Sequence, residues 1–110
     1  MSNTETTITR KILKHLNSIS GCRAIKLHMT HFGQRGTPDI LCCKDGQTVF
    51  FEVKVPDRSR LEVMQAKQFR DWRAVGAECH MVTGIEDLPG DFRSGAGAGA
   101  GTGAGAGAGD

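Results

Sequence analysis

The sequence predicts a single α/β (α+β) domain, in which a mixed sheet is flanked by helices in the order α-β-β-β-α-β. Three observations predict this class. Apolar residues near the N-terminus follow helical spacing, an Asp45-Gly46 pair separates two apolar runs, and a second helical stripe precedes a short last strand. With 110 residues, the chain has room for one domain at most.

The first helix is predicted over about residues 3–18. Apolar side chains recur there at helical spacing: Ile8, Ile12, Leu16 and Ile19. Ser2 and Glu5 match a capping box, and Gly21 is a plausible stop. Residues 22–29 then alternate well enough to predict the first strand.

A hairpin follows, with strands over residues 38–43 and 48–55. An Asp-Gly pair between two apolar runs is a strong hairpin signal. If Asp45-Gly46 is the two-residue loop, continuing the pairing outward sets Asp39 directly opposite Glu52. Lys54 lies two residues beyond Glu52, so it points to the same face of the sheet.

The second helix is predicted from a stripe that ends before Gly76. Its members are Leu61, Met64, Gln65, Gln68, Phe69, Trp72 and Val75. By this spacing, Phe69 and Trp72 are expected to be core residues. A fourth strand over residues 78–83 follows, and residues 85–88 can add one helical turn. The crossover between the third and fourth strands should be right-handed and make these two strands parallel.

Composition limits the ordered part of the chain. From Gly95 onward, Gly alternates with Ala and is broken only by Thr102, so burial cannot order this stretch. We therefore predict a domain over residues 1–91 and a flexible tail over residues 92–110. The net charge of +2 is a weak signal for nucleic acid by itself.

The four cysteines show no CxxC spacing, which argues against a zinc site or a disulfide framework. Free thiols in a reducing cytosol fit better, as in bacteria or a phage-infected host. No apolar stretch is long enough for a membrane span, and the polar N-terminus is not that of a signal peptide.

The candidate site is the patch formed by Asp39, Glu52 and Lys54. Two directly opposed carboxylates repel each other, and a divalent cation would relieve that repulsion. Hard oxygen ligands suit Mg²⁺ or Mn²⁺. The alternative is a surface ion cluster, but the neighbouring residues are apolar, and charges among such residues are seldom buried unless they are paired or bound to metal.

These residues resemble the PD-(D/E)xK nuclease signature. More narrowly, Gly36-x-Pro-Asp39, Glu52-x-Lys54 and Leu61-x-x-x-Gln65 are similar to the virus-type replication-repair nuclease (VRR-NUC) domain. The resemblance runs from about Glu5 to Leu88. It implies a restriction-endonuclease-like core and a metal-dependent phosphodiesterase acting on DNA.

The resemblance also implies roles for individual residues. Asp39 and Glu52 would hold the metal, helped by the Val53 carbonyl. Lys54 would orient the attacking water and neutralise charge on the transition state. Phosphodiester hydrolysis needs a nucleophilic water of lowered pKa and compensation of the negative charge that develops on the phosphoryl oxygens. This chemical requirement agrees with the assignment.

Glu5 and Gln65 are further candidates. The family carries a Glu at the start of the first helix as an outer metal or water ligand, whereas Glu5 could equally serve as a cap. In the family, a Gln at the position of Gln65 faces the active site; the alternative is a boundary glutamine. Gln65 is preferred to Gln68 because its spacing to Gly76 matches the family pattern.

Basic residues near the site in sequence are candidates for phosphate contacts, although any one of them could be ordinary solvated charge. They are Lys26, His28, His31, Arg35, Arg58 and Arg60.

The function expected is therefore that of a DNA endonuclease, acting on branched DNA such as a four-way junction and forming a homodimer. The alternatives are a flap nuclease or exonuclease, a restriction-type nuclease, a non-catalytic DNA-binding subunit, and a small metal-binding protein without nucleic acid.

Overall fold

The computed structural model describes residues 4–28 and 33–93. Four strands form one mixed sheet in the order β1-β2-β3-β4, with helices beside it. The elements are α1 (Glu5–Asn17), β1 (Cys22–Lys26), β2 (Ile40–Lys44), β3 (Gln47–Val53), α2 (Val63–Ala74), β4 (Glu78–Val82) and α3 (Gly90–Arg93). The predicted mixed α+β architecture is confirmed. Single turns of 3₁₀ helix at Pro56–Arg58 and Ile85–Asp87 and the short α3 complete it.

Helix α1 begins slightly later than predicted. Thr4 is its N-cap, and the Thr4 hydroxyl accepts a hydrogen bond from the Thr7 N–H. The predicted cap at Ser2 lies outside the described residues. At the other end of the helix, the Asn17 side chain accepts from the Ala24 N–H at 2.8 Å and donates to the Ala24 carbonyl at 3.0 Å. These two bonds fasten α1 to β1.

The hairpin has the predicted register. Lys44 pairs with Gln47, and the pairing continues to Ile40 opposite Phe51. Both loop residues, Asp45 and Gly46, have positive φ angles, of 50° and 86°. A two-residue loop of that kind matches the twist of the flanking strands and therefore fixes the register. The predicted parallel pairing of β3 with β4 is also confirmed.

The two faces of the sheet are covered very differently. Helix α1 covers a broad core that includes Ile12, Leu16, Ile40 and Phe51. The opposite face has a small cluster of Phe50, Phe69 and Cys79 under α2.

The predicted apolar stripe of α2 is mostly not buried, because only Phe69 of this helix is. Trp72 is 39% exposed although it packs on Phe50, with ring centroids 4.7 Å apart, and Val75 is 76% exposed. The prediction that Trp72 is a core residue is therefore wrong. Helical spacing shows which side of a helix is apolar, but not how far the sheet extends beneath it.

The folded part of the chain reaches further than residue 91. Phe92 lies in α3, is buried in the α1-side core and packs edge-on against Phe51, with centroids 5.4 Å apart. The stretch of alternating Gly and Ala lies outside the described residues. Within residues 4–28 and 33–93, no helix has the length and apolar character needed to cross a membrane.

Candidate active site

Asp39 stands one residue before β2, on the α2 side of the sheet. Its Oδ2 accepts a hydrogen bond from the Val53 N–H at 2.8 Å, and its backbone carbonyl accepts from the Leu27 N–H at 2.7 Å. The Asp39 carboxylate is thus hydrogen-bonded to the end of β3. The Asp39 main chain is hydrogen-bonded to Leu27, just after the end of β1. Because Ile40 pairs with Phe51, the register brings Asp39 beside Glu52.

Glu52 is the most unusual residue of this site, because a carboxylate that is only 4% exposed lies in the centre of a sheet. Its Oε2 accepts a hydrogen bond from Gln65 Nε2 at 2.7 Å and lies 3.7 Å from Lys54 Nζ. Its other oxygen, Oε1, is buried and has no hydrogen-bond partner in the described part of the chain. A buried polar atom without a partner is unfavourable, and such atoms are rare in folded proteins.

Burial raises the pKa of the Glu52 carboxyl to about 8, and the negative charges of Asp39 and Glu5 act in the same direction. Lys54 opposes the rise through its charge and a hydrogen bond. Loss of water from around the carboxylate therefore outweighs the attraction of the ammonium group. Without a further cation, Glu52 is largely protonated at neutral pH.

Lys54 is also buried, at 8% exposure, which is uncommon for a lysine. Its backbone N–H donates to the Val82 carbonyl at 2.9 Å and so extends the pairing between β3 and β4. Because Lys54 follows Glu52 by two residues, its side chain rises from the same sheet face. The ammonium group is therefore held beside the Glu52 carboxylate.

Gln65 uses both ends of its amide. Oε1 accepts from the Glu62 N–H at 2.9 Å and caps the first turn of α2, while Nε2 donates to Glu52. The Glu62 side chain in turn accepts a hydrogen bond from the backbone N–H of Gln65, which completes a capping box. A glutamine fixed in this way holds the Glu52 carboxylate in one orientation.

Gly36 allows this arrangement by letting two backbones approach closely. A Cβ at position 36 would collide with the Met64 carbonyl group and would lie 2.8 Å from the Gln65 nitrogen. Its φ angle of +78° also favours glycine. The loop that leads to Asp39 therefore packs directly on the first turn of α2.

Glu5 is at the first position of α1, next to the capping Thr4. Since Thr4 supplies the capping oxygen to Thr7, that part of the cap does not depend on Glu5. Glu5 and Lys54 both line an open cleft of about 790 Å³, together with Arg58 and Arg60. The five predicted residues Glu5, Asp39, Glu52, Lys54 and Gln65 are thus brought to one region.

The basic residues predicted to contact phosphates do not all lie near the site. Arg58 and Arg60 line the larger cleft, and Arg35 lines a smaller one of about 360 Å³ that also contains Gln65. Lys26 pairs with Ile40, which places it on the α1 side of the sheet, away from Glu52. His28 is exposed just beyond β1. His31 lies outside the described residues.

Sequence reasoning missed three features of this site: the Val53 N–H bonded to Asp39, the Glu62–Gln65 cap and the contact of Gly36 with α2. The spacing Glu62-x-x-Gln65 is that of a capping box with an unusual first residue, so a signal was present. The Gly36 contact joins segments far apart in sequence and had no local signal.

The arrangement of Asp39, Glu52 and Lys54 suits the binding of a cation and the polarisation of a nearby oxygen atom. Among residues 4–28 and 33–93, no group of three or more His, Cys, Asp or Glu side chains is placed to hold a metal ion. The carboxylates of Asp39 and Glu52 and the Gln65 amide nevertheless lie close together, with the Lys54 ammonium beside Glu52. Comparisons with models of protein families, with curated proteins and with solved structures find no match to this chain.

Proposed function

We propose that this protein is a Mg²⁺- or Mn²⁺-dependent DNA endonuclease of the VRR-NUC type within the PD-(D/E)xK superfamily. The observation that carries the proposal is the Glu52 carboxylate, which is buried beside Asp39 and whose Oε1 has no hydrogen-bond partner among residues 4–28 and 33–93. Both features fit a site completed by a divalent cation.

Asp39 and Glu52 would hold the cation, helped by the Val53 carbonyl, with Glu5 as an outer ligand. The cation would supply a water of lowered pKa and positive charge near the scissile phosphate. Lys54 contributes a fixed positive charge where the phosphoryl oxygens become more negative. Gln65 keeps Glu52 oriented, so the site is already arranged before substrate binds.

DNA is the proposed substrate, because the larger cleft places Arg58 and Arg60 on the same rim as Lys54. Asp57 and Glu62 line the same cleft, so its charge is mixed rather than uniformly basic. Arg35 adds a cation to the smaller cleft, which is also lined by Gln65. Positive groups in the two clefts next to the site suit contacts with a phosphate backbone.

Cleavage of duplex, flap and four-way-junction DNA in the presence and absence of Mg²⁺ or Mn²⁺ tests the function. We expect Asp39→Asn, Glu52→Gln and Lys54→Ala each to reduce the rate by at least about 100-fold, as is typical when a charge-stabilising group is removed. Gln65→Ala should also lower the rate, whereas Gln68→Ala should not.

Exposed residues of the same types give matched controls: Asp91→Asn, Glu78→Gln and Lys67→Ala should retain wild-type rates. Wild-type turnover by Asp39→Asn in Mg²⁺ would show that the site is assigned wrongly. DNA binding without cleavage under any divalent metal would favour a non-catalytic subunit. Cleavage confined to strand ends would favour an exonuclease.

A further inference from the structure

Two of the four cysteines lie in contact although they are far apart in sequence. Cys22 Sγ and Cys42 Sγ are 3.3 Å apart. Cys22 pairs with Lys44 and Cys42 pairs with Ala24, so the two thiols occupy diagonal positions on the α1 side of the β1–β2 ladder. A disulfide has an S–S distance of about 2.05 Å, and the two sulfurs need to move by only about 1 Å to reach it.

The surroundings of the two thiols give them different reactivities. A hydrogen bond from the Cys42 thiol lowers the pKa of Cys22, and the nearby Lys44 ammonium acts in the same direction, against burial and Asp45. The same hydrogen bond and burial raise the pKa of Cys42. Cys22 is partly exposed on an edge strand, whereas Cys42 is buried. Cys22 is therefore suited to attack, and Cys42 to act as the second, resolving thiol.

We propose that Cys22 and Cys42 form a thiol-oxidation site that reacts with small-molecule disulfides such as glutathione disulfide. The Cys22 thiolate attacks one sulfur of the small disulfide, a mixed disulfide forms, and one glutathione thiolate leaves. Cys42 then loses its proton and attacks the Cys22 sulfur, and the second glutathione leaves. Two protein thiols are oxidised and one small disulfide is reduced. This proposal does not depend on the proposed nuclease function.

The bond would link β1 to β2 and close the loop over residues 23–41. That loop includes Gly36 and Asp39. Both thiols lie on the α1 side of the sheet, whereas the Asp39 and Glu52 carboxylates lie on the α2 side, so the bond should leave the candidate active site in place. Closing a loop of this size reduces the freedom of the unfolded chain. The oxidised protein should therefore have a higher Tm than the reduced protein.

Incubation of the reduced full-length protein with glutathione disulfide, followed by intact-mass analysis and peptide mapping, tests the site. We expect the wild type to lose two hydrogen atoms and to yield a Cys22–Cys42 cross-linked peptide. Cys42→Ala should instead accumulate a glutathione adduct on Cys22, because the resolving thiol is absent. Cys43→Ser removes an exposed neighbouring thiol on the other face of the strand and should behave like the wild type.

The wild-type peptide map is decisive even if Cys42→Ala folds poorly. A map in which Cys22 and Cys42 remain free thiols while Cys43 carries glutathione would overturn the proposal. So would a cross-link that joins other cysteines. An oxidised protein with the Cys22–Cys42 bond but a lower Tm would show that the linked strands are strained, and would contradict the expected stabilisation.

Discussion

At the scale of single residues, the burial of the Glu52 carboxylate away from water is the feature that decides the chemistry of the site. Phe50, Phe51 and Val53 surround it on β3 and are all buried. Within the part of the chain that the structure describes, Gln65 and Lys54 contact one of its oxygens and the other has no hydrogen-bond partner. A folded protein keeps such a group only if a proton or a cation compensates it. Two predictions follow from this choice between proton and cation.

The first concerns the pH dependence of stability in the absence of divalent metal. The folded-state pKa of Glu52 is raised to about 8 from an ordinary value of 4.5, so the folded protein binds more protons between these limits. The contribution of Glu52 to stability is therefore fully present below pH 4.5 and is lost as the pH rises through about 8.

Urea unfolding in a chelating buffer across this interval measures the effect. Glu52→Gln keeps the shape and cannot ionise, so the stability difference between the variant and the wild type should grow with pH in favour of the variant. Glu78→Gln is exposed and serves as the control. A difference between Glu52→Gln and the wild type that is constant with pH would contradict a perturbed Glu52.

The second prediction is that metal binding releases a proton. Between pH 4.5 and about 8, Glu52 is protonated in the folded protein and must ionise to bind a cation. Titration calorimetry with Mn²⁺ in buffers of different ionisation enthalpy should therefore report proton release by the wild type. Glu52→Gln should release none and bind more weakly. Equal heats in all buffers for the wild type would mean that the cation does not displace this proton.

At the scale of elements, the position of α2 is fixed at its first turn. Gly36 contacts the Met64 and Gln65 backbone, and Gln65 bonds both Glu62 and Glu52. Further along, Trp72 and Val75 remain exposed. The helix is therefore held by its first turn and by the buried Phe69 rather than by a continuous apolar stripe.

Gly36→Ala tests this dependence. The added Cβ would collide with the Met64 carbonyl group at a positive φ, so we expect a loss of about 3 kcal/mol or more in the free energy of unfolding and a large loss of activity. Gly76→Ala is the matched control, because its φ is +102° and nothing lies within 4 Å of the added Cβ. It should lose only about 1–2 kcal/mol. Equal losses would show that the contact with α2 is unimportant.

Local signals predicted the hairpin well and the second helix only in part. Asp45-Gly46 defines a two-residue loop, and the strict alternation of a strand then carries the register to Asp39 and Glu52. The periodicity of α2 is a property of one helix, whereas burial depends on what lies opposite. Trp72 is therefore partly exposed although it belongs to the apolar stripe. The contact of Gly36 with Met64 had no signal in the sequence.

At the scale of the whole molecule, the α2 side of the sheet is incompletely covered. Leu27, Phe50, Trp72 and Val75 line an open hollow of about 550 Å³. Ile25 on the edge strand β1 is 44% exposed and belongs to the same sheet face. Contiguous exposed apolar surface often marks an interaction site. A two-fold homodimer could cover this surface with the same surface of a second copy.

Light scattering at micromolar concentration tests the dimer. We expect the wild type to have twice the mass of one chain and Val75→Asp to have the mass of a monomer, because a charge would be buried at the interface. Val63→Asp is the control: Val63 is 83% exposed on the same helix but lies outside the hollow. A monomeric wild type, or a Val75→Asp variant that remains dimeric, would contradict this interface.

Paired cutting follows if the dimer holds two copies of Asp39, Glu52 and Lys54 in a fixed relation. A four-way junction offers two symmetry-related phosphates, and two adjacent copies present a broader positive surface than one chain of net charge +2. On a supercoiled plasmid that extrudes a cruciform, the wild type should produce linear product directly, because both strands are cut within one binding event. Val75→Asp should nick first and linearise later, since each chain then acts alone. If the wild type and Val75→Asp both form nicked circles and linear product with the same kinetics, the two sites are not coupled.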